Sequence, residues 1–354
     1  MNDILENDIN ELVQEVQYFA PFEKSSVLVT GATGLIGSVF IKSLCKYNDE
    51  HNSNIRIYAC CRSSEKFNSV FSDKERALIS PLFDDIRNIS IKEIDLDYIV
   101  HGASFTDSKS FVEKPVDTID IAISGTKNLL KQCRNKQLKG FVYLSSLEVY
   151  GSFPDSEGIK SISENDSGYI DTMSVRSSYS ESKRMVETLC AAYHSQYDVP
   201  VKIARLCQTF GAGVRYNDNR VFAQFARSVI EKKNIVLRTK GETVRNYCYT
   251  TDAVSGILTV LAEGNSGEAY NIANEETTIS IADMAKLVCT LYPESNVKVQ
   301  FDLAEDVSKL GYNPVVKIQL DSRKLQKLGW TPKISIEEMF KRLIESMRIL
   351  KESK

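Results

Sequence analysis

Apolar residues recur at Ile4, Leu5, Ile9, Leu12, Val13 and Val16, among the acids Asp3, Glu6, Asp8, Glu11 and Glu15. This helical spacing predicts an amphipathic helix within residues 1–24, packed on the domain that follows. From residue 26 short β-branched runs alternate with longer amphipathic segments. Residues 26–30, 55–61, 98–101, 141–145 and 201–206 read as strands, and 35–47, 116–134 and 179–197 as helices. Strands that are apolar throughout and separated by helices imply a parallel sheet covered on both faces, so the fold class is a doubly wound α/β sheet. Ligands of such a sheet sit at the carboxyl ends of its strands. Past residue 206 the rhythm loosens into shorter elements with turns at 211–213, 217–219 and 240–241. The expected division is a helix over 1–24, a main domain over 25–205 to which 243–272 returns, and a smaller C-terminal α/β lobe from 206–242 and 273–350. With no internal repeat and no low-complexity linker, the lobes should be built against one another.

Composition removes several function classes. The net charge of -3, from 44 basic and 47 acidic residues, provides no broad positive field for nucleic acid. Eight cysteines show no CxxC pairing and only three histidines are present, so no metal site is expected. The thiols read as small buried hydrophobes of a reducing, cytoplasmic protein. An acidic start and the lack of any apolar run of about 18 residues predict neither export nor membrane insertion.

The first strand runs into Gly31-Ala32-Thr33-Gly34-Leu35-Ile36-Gly37, which opens a helix. Glycines at these intervals let a pyrophosphate approach the free amides of a helix N-terminus, so Thr30, Gly31, Thr33, Gly34, Leu35, Ile36 and Gly37 are candidates for a dinucleotide site. At the end of the second strand an acid would accept hydrogen bonds from the adenosine ribose, whereas a cation would suit a 2′-phosphate. The residues there are Cys61-Arg62-Ser63, which leans the choice towards NADP but leaves NAD open. Asp85 and Ile86 are placed to touch the adenine, and Gly102, Ala103 and Ser104 lie beside the cofactor after the fourth strand.

Tyr179 and Lys183 are four residues apart on a predicted helix and share one face. A tyrosine titrates near pH ~10, so a base useful at neutrality needs a shift of about three units, which an adjacent ammonium favours. Lys183 would supply that charge and hold the nicotinamide ribose. The strand 141–145 delivers Ser145, Ser146 and Glu148 to its carboxyl end, and Ser146 is the choice for a hydroxyl that bonds the reacting oxygen.

TGATGLIG, HGAS, LSSLEVYG, YSESK and RNYCYTTDAV, in this order, resemble the extended short-chain dehydrogenase/reductases of the NAD-dependent epimerase/dehydratase family. The similarity runs from about residue 25 to 345 and includes LDSRKLQKLGWTP. It implies a Rossmann domain, a substrate lobe, and hydride transfer between nicotinamide and a sugar carbon. It assigns Tyr179 as acid/base, Lys183 as its tuner, Ser146 and Glu148 as catalytic partners, and Thr106, Gln208, Arg220, Val221 and Arg245 to the substrate, the arginines gripping its phosphates. Two departures stand out. Leu147 replaces the first acid of the dehydratase pair, which disfavours 4,6-dehydration. Ala122 and Gln208 replace family asparagines.

The implied function is a nucleotide-sugar epimerase or decarboxylase that recycles its hydride. The alternative is an NADPH-dependent reductase of a keto-sugar, nucleotide-linked or phosphorylated, and a minor one is an inactive binding module. The expected partners are that sugar and a second copy of the chain, because helices equivalent to 116–134 and 179–197 form the dimer interface in this family.

Overall fold

The computed structural model describes residues 3–106, 108–153, 158–304 and 315–352. Residues 305–314, part of the expected smaller lobe, lie outside the described residues. The strands are β1 Ser26–Thr30, β2 Arg56–Cys61, β3 Ile79–Phe83, β4 Tyr98–His101, β5 Gly140–Ser146, β6 Lys160–Ile162, β7 Val201–Leu206, β8 Gln208–Phe210, β9 Ile235–Leu237, β10 Val244–Tyr249, β11 Ala269–Ile272, β12 Asn274–Ser280, β13 Val299–Phe301 and β14 Ile318–Leu320.

Seven of them form a sheet in the order β11-β7-β5-β4-β1-β2-β3, and every pairing is parallel. Val27, Leu28 and Val29 at its centre are fully buried. Burial of one such side chain stabilises the fold by roughly 1.5–3 kcal/mol, which is why the run carries no polar face. The chain winds outward from β1 to β3, then returns to the other side of β1 with β4. Neighbouring strands therefore diverge at β1 and β4, and a crevice opens beyond their carboxyl ends. The helices Leu35–His51 and Ser178–Tyr197 both stop at a left-handed residue, Asn52 and Asp198.

The smaller lobe contains the β12-β10-β8 sheet and the β13-β9 pair. Of the residues 243–272 expected to return to the main domain, β11 does so by pairing with β7, whereas β10 pairs with β8 and β12. Its core gathers Phe210, Phe222, Tyr247, Met284 and Phe340. The segment 318–330, expected in this lobe, belongs to the core of the larger domain. β14 pairs with β6, and Ile318, Leu320, Leu325 and Trp330 join the cluster that contains Ile162 and Ile272. Trp330 is fully buried and its Nε1 donates to the Asp252 carbonyl at 3.1 Å and Ser255 Oγ at 3.0 Å.

The leading helix, Asp3–Val13, buries Ile9, Leu12 and Val13. It also buries Asp8, which accepts a 2.5 Å hydrogen bond from the Tyr249 hydroxyl and pairs with Arg342 at 2.6 Å. The helix thus ties β10 to the C-terminal helix Ile336–Glu352.

Candidate active site

The crevice is welded by a buried histidine. Thr126 Oγ1 donates to the Ala122 carbonyl at 2.6 Å, which leaves it to accept from His101 Nε2 at 2.9 Å. His101 Nδ1 then accepts from Thr30 Oγ1 at 2.7 Å. Burial, together with the Lys183 charge, pushes the imidazole down to about 3. It is therefore a neutral strut joining β1 to β4. Thr30 Oγ1 also accepts the amides of Gly102 and Ala103, each at 3.2 Å.

The glycine turn fits a dinucleotide. Gly31 adopts φ +69°, where L side chains are strained, and a Cβ there would come within 2.8 Å of the Gly102 carbonyl. A Cβ on Gly37 would lie 2.4 Å from the Gly31 carbonyl. Gly34 is the N-cap of the helix Leu35–His51 and no side chain caps that end, so its first amides are left for another acceptor. Thr33 lies in this turn, Leu35 and Ile36 open the helix, and Ser104 and Thr106 follow Ala103 along the chain after β4. Asp85 and Ile86, expected beside the adenine, have protein neighbours of their own. The Asp85 carboxylate is held by Arg87 at 2.8 and 3.0 Å, and Ile86 is buried where a Cβ on Gly125 would meet it. Arg62 is exposed just beyond β2.

Strand alternation separates the two serines at the end of β5. Ser145 turns away from the crevice and donates to Glu187 at 2.5 Å. Ser146 Oγ accepts the Glu148 amide at 3.3 Å and is hydrogen-bonded to Tyr179. Tyr179 and Lys183 share one face of the helix Ser178–Tyr197, and Tyr179 stacks on Phe111 with ring centroids 4.2 Å apart. Lys183 Nζ donates to the Leu144 carbonyl at 2.7 Å and lies over the rings of Tyr143 and Tyr179. Ser146, Tyr179 and Lys183 therefore meet beside the crevice.

The electrostatics differ from the expectation. Burial, then the Glu148 charge, raises the Tyr179 phenol above its ordinary value, and Ser146, Arg176 and Arg220 only partly oppose this. The Lys183 ammonium is aimed at the Leu144 carbonyl rather than at the phenol oxygen. Burial draws Lys183 down to about 7, against the pull of Glu187. The protein's own groups thus hold Tyr179 as the neutral phenol, able to donate a proton.

Glu148 is nearly enclosed. Arg176 grips it through both nitrogens at 3.0 and 3.1 Å, and Ser180 Oγ donates at 3.0 Å. The arginine keeps the carboxyl below its ordinary value despite burial, with Arg245 adding to the effect. Sequence reasoning missed Arg176; its signal was a cation one helical turn before Tyr179. It also missed Glu187, one turn after Lys183, which Arg205 holds at 2.7 Å. Arg245 Nε is buried and has no hydrogen-bond partner among the described residues. Gln208 opens β8 and pairs with Tyr247 across to β10. Arg220, immediately before Val221 and its helix, reaches Tyr179 electrostatically, yet it is clasped by Asp218 at 2.7 Å. Leu147 is buried in the hydrophobic core and places no carboxyl in the site.

Among the described residues no cluster of three or more side chains could hold a metal ion, and no helix is long and apolar enough to cross a membrane. All eight cysteines are free, seven of them buried.

The model of the NAD dependent epimerase/dehydratase family matches residues 27–273. The chain is 27% identical to UDP-glucuronic acid decarboxylase 6 of Arabidopsis thaliana over 91% of this chain and 89% of that protein. It is 26% identical to human dTDP-D-glucose 4,6-dehydratase, with the same coverage. Among solved structures, UDP-glucuronic acid 4-epimerase from Bacillus cereus in complex with NAD shares the fold with a TM-score of 0.75 at 22% identity, over 93% of this chain and 98% of that one. An epimerase from Methanothermobacter thermautotrophicus has a TM-score of 0.79 at 21% identity, over 95% and 96%.

Proposed function

The chain belongs to the NAD dependent epimerase/dehydratase family, and within it we propose an enzyme that transfers hydride at a carbinol of a nucleotide-linked sugar, with Tyr179 as acid/base. The observation that supports this reading is the meeting of Ser146, Tyr179 and Lys183 at the carboxyl end of β5, beside the glycine-lined crevice. The nicotinamide cofactor, when bound, supplies the hydride acceptor and donor. The turn 31–37 would hold its pyrophosphate and Lys183 its ribose.

The chain's own groups divide the proton work. Ser146 and Tyr179 present two hydroxyls to one substrate oxygen, so that oxygen is oriented before its proton moves. Arg245, with Arg220 and Gln208 on the smaller lobe, would meet the diphosphate side of the substrate. Leu147 leaves the site without the second acid that loss of water would require. Glu148 is the remaining carboxylate, and Arg176 keeps it ionised. This favours epimerisation or decarboxylation over dehydration.

A reductase that draws on NADPH is the second reading, favoured by Arg62 where an acid would serve NAD. Denaturing the purified protein and identifying the released nucleotide separates the two. Retained NAD supports internal recycling, and an empty protein that turns over free NADPH supports the reductase. Absence of any nicotinamide nucleotide binding would overturn both.

We further propose a homodimer through the helices Pro115–Cys133 and Ser178–Tyr197, which leave Val116 75% and Met185 53% exposed. Light scattering of the purified protein tests it, and a monomer at micromolar concentration would refute it.

A further inference from the structure

The turn that leads into the substrate side of the smaller lobe is pinned from the far end of the sequence. β8 and β10 run parallel with Gln208 opposite Tyr247 and Phe210 opposite Tyr249, so Tyr249 stands where both strands end. The turn 211–214 lies on its ring. A Cβ on Gly211 would come within 2.6 Å of Tyr249 Cε2, and only a residue without one lets the chain pass there. The Tyr249 hydroxyl accepts the Ala212 amide at 3.2 Å and donates its one proton to Asp8 Oδ2 at 2.5 Å. The Gly213 amide is held separately, by Ser346 Oγ at 3.1 Å.

Asp8 belongs to the leading helix, Asp3–Val13, which packs against the helices Leu35–His51, Thr250–Glu263 and Ile336–Glu352. It is 2% exposed and both carboxylate oxygens are engaged, Oδ2 by Tyr249 and Oδ1 by Arg342 at 2.6 Å. Burying an acid costs free energy, and an apolar side chain would seat the helix beside Ile9, Leu12 and Val13 without that cost. The acid is therefore explained by what it holds rather than by the packing of its own helix. Beyond the pinned turn the Asp218 carboxylate clasps Arg220 at 2.7 Å, and Val221 opens the next helix. Gln208 and Arg220 thus flank the turn, and Arg245 lies on the strand that ends in Tyr249.

We propose that Asp8 is a positioning residue for the nucleotide-sugar substrate: through the Tyr249 hydroxyl it fixes the turn 211–214, and with it the placement of Gln208 and Arg220 relative to Arg245. The proposal rests on the reading that the smaller lobe meets the diphosphate of such a substrate. While the carboxylate takes the hydroxyl proton, the phenol oxygen is left to accept the Ala212 amide. Without that acceptor the hydroxyl turns to other partners and the amide loses a fixed anchor.

The test is equilibrium binding of the full-length protein to UDP, dTDP, GDP and CDP by isothermal titration calorimetry, and to NADH by nicotinamide fluorescence. The expected result is that the parent binds at least one of these diphosphates and that Asp8→Ala and Tyr249→Phe each weaken it by about tenfold, the effect of one lost hydrogen bond. The double variant should bind no more weakly than the weaker single one, because both changes cut the same link. Asp8→Asn keeps an oxygen that accepts the hydroxyl and should restore the affinity to within about threefold of the parent. NADH should stay within about twofold throughout, which certifies that each variant is folded. Tyr249→Phe retains the ring beneath Gly211, so it decides the matter even where loss of the buried acid unfolds the protein. Unchanged diphosphate affinity in Tyr249→Phe, or a loss that NADH shares equally, would overturn the positioning role while leaving the nucleotide-sugar reading intact. A parent that binds none of these diphosphates would overturn both.

Discussion

Glu148 turns both carboxylate oxygens onto the guanidinium of Arg176, at 3.0 and 3.1 Å, and the pair is 13% and 17% exposed. Breaking a buried pair by removing one partner strands the other charge, at a typical penalty of about 3–5 kcal/mol. Arg176→Met should therefore destabilise the protein by roughly that amount, whereas Glu148→Gln combined with Arg176→Met should recover at least half of it. Urea denaturation of the two variants decides this, and equal losses would show that the pair is not a unit.

Tyr179 is held as a phenol by burial and by the Glu148 charge. Tyr179→Phe removes the proton and keeps the ring stacked on Phe111, so turnover should fall by about 10²–10⁴-fold while cofactor affinity stays within about twofold. A variant that keeps a tenth of the activity would remove Tyr179 from the acid/base role. Ser146→Ala should lower turnover, through the lost contact with the reacting oxygen. Ser145→Ala acts on Glu187 instead and should leave kcat closer to the parent.

Much of this was legible from the order of residues alone. Continuous apolar runs such as Val27-Leu28-Val29 are buried on both faces, and periodicity reports that directly. The glycine spacing and the Tyr179–Lys183 interval are local, and their geometry follows from one helix. Arg176 and Glu187 were not legible, because a charge on an amphipathic helix reads as solvated until its partner is known. Those partners, Glu148 and Arg205, lie 28 and 18 positions away. The segment 318–330 was misplaced for a related reason. Its amphipathic pattern shows that one side is buried but not which core receives it, and β6 is more than 150 residues distant. The direction of the Tyr179 shift also depends on where the Lys183 ammonium points, which spacing does not reveal.

Lys183 is drawn down to about 7 because burial outweighs the attraction of Glu187. Glu187→Gln removes that attraction, so the ammonium should be lost at a lower pH than in the parent. If the cofactor ribose accepts hydrogen bonds from the charged lysine, affinity falls as pH rises through this value. The midpoint of that fall should move down in Glu187→Gln and return in Glu187→Asp. A pH dependence of cofactor binding unchanged between parent and Glu187→Gln would show that Glu187 serves only Arg205 and Ser145.

Asp252 offers a test of stability rather than activity. It is 5% exposed, and burial lifts its carboxyl to about 6 from an ordinary value of 3.8. The backbone amides of Lys333 and Ile334 both reach one oxygen, Oδ2, at 3.1 and 3.0 Å. Between these two pH values the unfolded chain has released the proton and the folded one retains it. Stability is then lost as pH rises through the window, with the full loss above the folded value. Asp252→Asn keeps an oxygen that can accept both amides and removes the ionisation. It should match the parent below pH 4 and exceed it at pH 7 by up to about 3 kcal/mol, a shift of about two units. Trp330 is the chain's single tryptophan and is bonded to the Asp252 carbonyl, so its fluorescence reports the unfolding of this region. A parent at least as stable as Asp252→Asn at pH 7 would mean that the carboxylate is held ionised by Lys333 and Arg342, whose charges would then outweigh the burial.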